Sequence, residues 1–342
     1  MKNEYFKNES GCYIIAEAGL NHNGSIEIAK KLIELASIAG VDAVKFQKRT
    51  VDKLAIQSTL DAEDNRFPEF GKTYREIREH LEFNVEEYRE LFNYSKSRGL
   101  EFIVTAFDID AVDFLESLGI KLFKLASHSL TNINLLEYLA VKKMPTILST
   151  GMADLEEIDN AVDIFVSKKA PLALMHCVSS YPTPLSESNL AMIDKIKERY
   201  ELVTGYSGHE IGYLPTIIAV TRGAQIIERH FTLDKSMVGF DHKMSLGADE
   251  FISMVKDIRI IKSVIGSGKK IVSETEWITR RKYHVSMASA VEINSGTVLT
   301  EDMVTYKNPG TGVPYKLAST LIGRRAVKKI LIDQILSQEM FE

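Results

Sequence analysis

The chain is 342 residues long, 45% hydrophobic and 26% charged, the balance of a soluble globular protein rather than a disordered or fibrous one. That length exceeds the ~250 residues at which single cores usually stop growing, so one large domain and one small one are expected. The formal net charge is -5 and the basic residues are spread out, which excludes the concentrated positive field that nucleic acid or anionic lipid requires.

The chain opens MKNEYFKNESGC, polar and acidic where a secretory leader would be apolar. No run approaches the ~18 apolar residues of a membrane span, so no membrane association and a cytoplasmic location are expected. Cys12 and Cys177 each sit in an apolar run and read as small buried hydrophobes in a reducing compartment. Neither has the spacing of a zinc site.

Eight short apolar runs follow in order: YIIAEAG (13–19), DAVKFQ (42–47), EFIVTAF (101–107), LFKLAS (122–127), PTILSTG (145–151), LALMHCV (172–178), ELVTGYS (201–207) and QIIERHF (225–231). Between them lie helical patterns such as SIEIAKKLIELASIAG, NVEEYRELFNYSKSRG, IDAVDFLESLG and DLEEIDNAVDIFVSKK. Strands apolar almost throughout are those buried on both faces, as parallel sheets under helices are. The alternation predicts a (β/α)8 TIM barrel, with an open doubly wound sheet as the alternative. The stretch from about 50 to 83 is polar, charged and too long for an ordinary connection. It is expected to be a lid or binding loop over the strand C-terminal ends, or else a disordered insert. After Gly268 the strands become short and β-branched between turns such as NSG and NPGTG. The expected domains are therefore a barrel over 1–267, a linker over 268–282 and a small β-rich domain over 283–342.

In such a barrel, polar residues at the C-terminal ends of strands are where reactants sit. Those ends carry Glu17, with Asn21, His22 and Asn23 beyond it, then Lys45 and Gln47, Thr105, Lys124 and Ser127, and Ser149 and Thr150. Ser179 and Tyr181, Ser207 and His209, and Glu228 and His230 complete them. Burying Lys45 and Lys124 in apolar strands is costly unless an anion meets them. With the neighbouring hydroxyls they point to a phosphate or carboxylate pocket; an internal pair with Glu17 or Glu228 is the alternative for either lysine alone. His209 and His230 end consecutive strands, close enough to share a divalent ion, or to serve as hydrogen-bonded core histidines or a general base. Asp241 and His242 are placed near the same rim.

The stretches AEAGLNHNGS, VKFQK, LSTGM, HCVSSYPTP, GYSGHE and ERHFTLDK, in this order over nearly the whole chain, resemble the motifs of the sialic acid synthase family. The tail EINSGTVLTEDMV, NPGTGVP, LIGRRAVKKI is similar to that family's antifreeze-like (SAF) domain. The resemblance implies condensation of phosphoenolpyruvate with an N-acetylmannosamine-like amino-sugar aldehyde, giving a nonulosonic acid and phosphate. It implies Mn or Mg bound through His209 and His230. It places phosphoenolpyruvate on Lys45, Thr105, Lys124, Ser127, Ser149, Tyr181 and Ser207, and the sugar on Gln47, Asp241 and Asn308. Glu17 is the candidate proton-transfer group. A domain-swapped homodimer is also implied, with the Asn308 to Gly312 turn reaching the neighbouring site. The sequence departs from a bacterial pattern of this family at Asn308, where that pattern has arginine, at Ser129, where it has glutamate, and at Ser179, where it has asparagine.

Those departures bear on the sugar. Legionaminic- or pseudaminic-type acceptors and a 6-phosphorylated one stand beside the unphosphorylated sugar, which is the expectation; a 6-phosphate would need extra rim cations, for which Lys48, Arg49 and Lys72 are available. Two further readings compete: another phosphoenolpyruvate-condensing barrel, and a non-catalytic carbohydrate- or ice-binding protein built on the antifreeze-like module.

Overall fold

A computed structural model describes residues 11–342, so most of the polar opening stretch lies outside the described residues. Two compact units emerge, Met1–Ile265 and Gly266–Glu342.

The first unit is a closed parallel barrel of β1 (Tyr13–Gly19), β2 (Ala43–Lys48), β3 (Glu101–Ala106), β4 (Phe123–Leu125), β5 (Thr146–Ser149), β6 (Leu172–Cys177), β7 (Val203–Gly208) and β8 (Ile226–His230), in sequential order with β8 back on β1. The doubly wound alternative is thereby excluded. Around it run α1 (Ile26–Ala39), then α2 (Val51–Leu54), α3 (Gln57–Leu60) and α4 (Tyr74–His80) between β2 and the covering helix α5 (Val85–Ser97). The outer ring continues with α6 (Ile109–Ser117), α7 (Ile133–Val141), α8 (Leu155–Ser167), α9 (Ala191–Tyr200), α10 (Leu214–Thr221) and α11 (Ala248–Ile265). Capping boxes start α5 at Asn84 with Glu87 and α8 at Asp154 with Glu157, which satisfies free N–H groups where each helix leaves its loop.

Each strand alternates between two environments. Ala16, Val44, Val104, Phe123, Leu148 and Leu174 pack outward into the core shared with the helices. Ile15, Ala43, Ile103, Leu122, Ile147, Ala173 and Ile226 fill the lower interior. Two residues further along, the same inward positions are Glu17, Lys45, Thr105, Lys124, Ser149 and Glu228, with apolar Met175 on β6 the exception. The period of two thus carries the barrel interior from an apolar plug to a polar floor at the C-terminal face.

The segment from 50 to 83 is folded rather than a disordered insert. Arg75 bonds Asp61 at 2.9 Å and pairs with Asp52. Ile77 and Leu81 are buried with Leu20, against Phe70 and Phe240.

In the second unit, α12 (Glu274–Tyr283) occupies most of the stretch expected to be linker, its start capped by Ser273 and Glu276. It is followed by the antiparallel pair β9 (Ser286–Ser289) and β10 (Val304–Lys307). Met287, Ile293, Leu299, Leu321, Ile330, Leu336 and Phe341 form its own small core. Among the described residues no helix is long and apolar enough to cross a membrane.

Candidate active site

The polar floor centres on Lys45. Its Nζ lies 3.2 Å from Glu17 Oε2 and 3.2 Å from Glu228 Oε1, and donates to Thr105 Oγ1 at 2.9 Å. Strand pairing sets this up, because β1 lies between β2 and β8, with Glu17 level with Lys45 on one side and His230 on the other. Lys45 therefore makes the internal pair that is the alternative for either lysine. Lys124 differs: it donates to Ser149 Oγ at 2.6 Å and to the Leu125 carbonyl at 2.8 Å, while Glu228 Oε2 stays 3.9 Å away.

Burial separates the behaviour of these groups. It pushes Glu17 up to about 7, resisted by Lys45. The same desolvation acts on Glu228, but Lys124 and Lys45 outweigh it and hold that carboxyl below its ordinary value. One carboxyl poised near neutrality beside one kept ionised is an arrangement suited to proton transfer. Burial pushes Lys124 down to about 8, against the pull of Glu228.

Above the floor, Ser207 donates to Glu228 at 3.2 Å. Ser127 accepts from the Gly151 N–H at 3.0 Å. A Cβ at Gly151 would stand 2.9 Å from Ser127 Oγ and clash with Ser179 Oγ, so the LSTGM glycine lets the β5 loop close on these hydroxyls. Ser179 Oγ is buried without a hydrogen-bond partner, a free group facing this cluster.

His209 and His230 stand with ring centroids 5.5 Å apart, and Tyr181 lies over His209 at 4.3 Å. His209 Nδ1–H donates to the Val178 carbonyl at 2.9 Å, leaving its Nε2 lone pair free. His230 Nδ1 is buried without a hydrogen-bond partner, 3.7 Å from Asp241 Oδ2. Burial, with His209 nearby, keeps His230 well below its ordinary value and hence neutral. Cys177 is more than a buried hydrophobe, because its Sγ lies 3.8 Å from His209 Nδ1.

A cavity of about 420 Å³ opens at the barrel mouth, lined among others by Gln47, Arg49, Arg66, Arg78, His128, Tyr181, His230, Phe240 and Asp241. Gln47 bridges floor and mouth, donating to Glu17 Oε1 at 2.7 Å and accepting from Arg49.

The NeuB family model matches residues 32–270. The chain belongs to the NeuB family. It is 38% identical over 338 residues to the N,N'-diacetyllegionaminic acid synthase of Legionella pneumophila, covering 97% of this chain and 95% of that protein. It is 33% identical over 333 residues to the N-acetylneuraminate-9-phosphate synthase of Homo sapiens, covering 97% and 93%. Among solved structures it resembles the N-acetylneuraminic acid synthetase of Leptospira borgpetersenii, with a TM-score of 0.67 and 35% identity over 78% of this chain and 90% of that one.

In this NeuB-family chain the barrel brings together Glu17, Lys45, Gln47, Thr105, Lys124, Ser149, Ser207, His209, His230 and Asp241, with Ser127 and Tyr181 beside them. Asn308 belongs to the second unit, in the turn after β10. His242 does not line the mouth: it is buried, bonded to Thr232 at 2.8 Å and Asn23 at 3.2 Å. Asn21 likewise serves its loop, donating to the Phe231 carbonyl and to Ser245, each at 2.8 Å. Of the rim cations expected, Arg49 lines the cavity, Lys48 is held by Glu82 at 2.9 Å, and Lys72 is exposed outside the lining. Sequence reasoning does not find Arg66 and Arg78. Both sit in a charged stretch whose pattern carries no mark of which side chain faces the barrel.

Proposed function

We propose that this chain condenses phosphoenolpyruvate with an N-acetylated amino-sugar aldehyde to a nonulosonic acid, releasing phosphate. The observation that carries this reading is Lys124, a buried cation bonded to the Ser149 hydroxyl at a barrel mouth, with Ser127 and Ser179 gathered at Gly151 two residues beyond Ser149, in a chain whose relatives are nonulosonic acid synthases. Lys124, the serines and Lys45 hold the phosphoenolpyruvate anion, and Gln47 and Asp241 face the acceptor. A bond forms from C3 of phosphoenolpyruvate to the aldehyde carbon, water adds its oxygen at C2, and phosphate leaves with C–O cleavage. Glu17, poised near neutrality, moves the proton this requires.

His209 and His230 fit a divalent ion, Mn or Mg, with Nε2 of His209 and a buried unpartnered nitrogen of His230 available. Burial lowers His209, but Cys177 and the Val178 carbonyl outweigh it and raise its proton affinity, so an ion there would compete with a proton. Among the described residues no group of three His, Cys, Asp or Glu converges, so from the protein these two histidines alone would hold the ion. When bound, such an ion would supply Lewis-acid polarisation of the aldehyde oxygen. The same reading carries an SAF-type second domain, a homodimer in which the Asn308 turn reaches the neighbouring site, and a cytoplasmic location. Its support is similarity along 97% of the chain.

The test is phosphate release from phosphoenolpyruvate by the purified protein with Mn across a panel of amino-sugar acceptors, each with a chelator control. Release that depends on an acceptor and on metal is expected; release with erythrose 4-phosphate or arabinose 5-phosphate instead, or with none, overturns the reading. His230→Ala is expected to weaken Mn binding and lower metal-stimulated turnover about 10²- to 10³-fold, from several kcal/mol of lost charge stabilisation. Mn titration by electron paramagnetic resonance checks the binding, and unchanged binding refutes the assignment.

Lys124 sets a pH limit. Above about 8 it loses its proton and offers no charge to an anion, so phosphoenolpyruvate affinity is expected to fall up to about tenfold per pH unit there. Its ordinary value is 10.5, so the unfolded chain keeps this proton between about 8 and 10.5. The stability cost of burying the charge is therefore present below pH 8 and relieved as pH rises through that window. Calorimetric titrations from pH 6 to 9 check the affinity, and Lys124→Arg, which stays charged, is expected to abolish the fall.

A further inference from the structure

We propose that the mouth cavity is built for an acceptor carrying a phosphate monoester, with Arg78 and Arg49 as the residues that select it. The inference rests on the synthase reading above and names the substrate class of that same site.

Three guanidinium groups, Arg49, Arg66 and Arg78, line a cavity that holds a single carboxylate, Asp241. His128 adds nothing to offset this, since burial, with Arg49 and Arg78, pushes it down to about 4. Arg66 is already answered, since Asp64 takes its Nε at 2.9 Å and its Nη2 at 2.6 Å. Arg49 is answered only in part, by a shared carboxylate and by Gln47, and Arg78 by no carboxylate among the described residues.

Arg49 is buried, and its nearest carboxylate, Glu82, is 3.7 Å from Nη1 while already accepting from Lys48 at 2.9 Å. Its Nη1 has no hydrogen-bond partner, and its guanidinium is held over the Phe107 ring at 4.0 Å. Arg78 makes no ion pair among the described residues; its guanidinium is held between the Tyr74 and Phe240 rings at 4.9 and 4.7 Å, with Nε buried and unpartnered.

Two arginines are thus fixed by aromatic faces with donors left over, at a place where burial makes an unanswered charge expensive. A neutral sugar leaves that surplus standing. A phosphate monoester, a dianion with three acceptor oxygens, matches two guanidinium forks. Gln47, His230 and Asp241 line the same cavity, so an acceptor with its aldehyde beside them presents its remaining carbons to the arginines. A volume of about 420 Å³ is suited to one such small molecule.

The test compares N-acetylmannosamine with its 6-phosphate as acceptors for the full chain with Mn, following phosphoenolpyruvate consumption, in the wild type and in Arg78→Ala and Arg78→Lys. The wild type is expected to prefer the phosphorylated acceptor by about 100-fold or more in kcat/KM. Arg78→Ala is expected to cut that preference ratio at least ~10-fold, and Arg78→Lys to restore part of it. Consumption with the neutral sugar at an equal or higher kcat/KM overturns the inference while leaving the synthase reading intact. A preference ratio unmoved by Arg78→Ala overturns the assignment of that residue. No consumption with any amino-sugar acceptor overturns both readings.

Discussion

Replacing Lys45 with methionine is expected to lower turnover at least ~100-fold and to destabilise the barrel by about 3–5 kcal/mol. Among the described residues Lys45 is the one cation within 3.2 Å of both Glu17 and Glu228, and all three are buried. Without it two carboxyl groups face each other in a low-dielectric floor, and at least one must take up a proton. The loss is separable into parts. Lys45→Met combined with Glu228→Gln removes one of the stranded charges, so a large part of the stability is expected to return while turnover stays low. Chemical denaturation and steady-state kinetics on the two variants check this. A double variant that regained turnover would show that Lys45 only balances charge and does not hold the substrate anion.

The second large effect is expected at Arg229. This side chain is buried behind the two histidines and pairs with Glu210, which is itself fully enclosed. It also donates to the carbonyls of Glu210 at 2.7 Å and Gly212 at 2.8 Å and to Thr216 Oγ1 at 3.1 Å, while Tyr206 donates to Glu210 at 2.9 Å. Space here is tight enough that a Cβ at Gly208 would meet Glu210 Oε2 at 2.7 Å and Arg229 Nη1 at 2.8 Å. Arg229→Met leaves Glu210 buried and unpaired and is expected to cost about 3–5 kcal/mol of stability. Adding Glu210→Gln, which removes that charge, is expected to recover much of it. Because Glu210 follows His209 and Arg229 precedes His230, the network also ties the β7 and β8 ends together. Denaturant midpoints at constant slope are the measurement, and a single-variant loss below about 1 kcal/mol would contradict the assignment.

Much of the site is legible in the amino-acid sequence because of the barrel's own geometry. Inward positions recur every second residue along each strand, so Ile15 to Glu17, Ala43 to Lys45 and Ile226 to Glu228 each step from plug to floor on a single inward face. A polar residue at an inward strand-end position points into the floor, whereas one at the intervening outward position, as Arg229 is, needs a buried partner among the loops and helices. The same strands look uniformly apolar rather than alternating because both faces are buried, and only the last inward position reveals which face is which.

What the chain order by itself determined is the succession of eight strands and their helices and the set of strand-end side chains, since these follow from local periodicity and residue chemistry, while the closure of the sheet came from the structure. What only the tertiary structure decided is how those side chains divide their partners. Lys45 is neutralised by two carboxylates while Lys124 is left to hydroxyls, and His242 is drawn into a loop network away from the mouth. Arg78 reaches the cavity although it lies in a charged helix with no strand register to place it. Pairing strength and charge balance depend on distances between residues far apart in the chain, and those distances exist only once the barrel has closed.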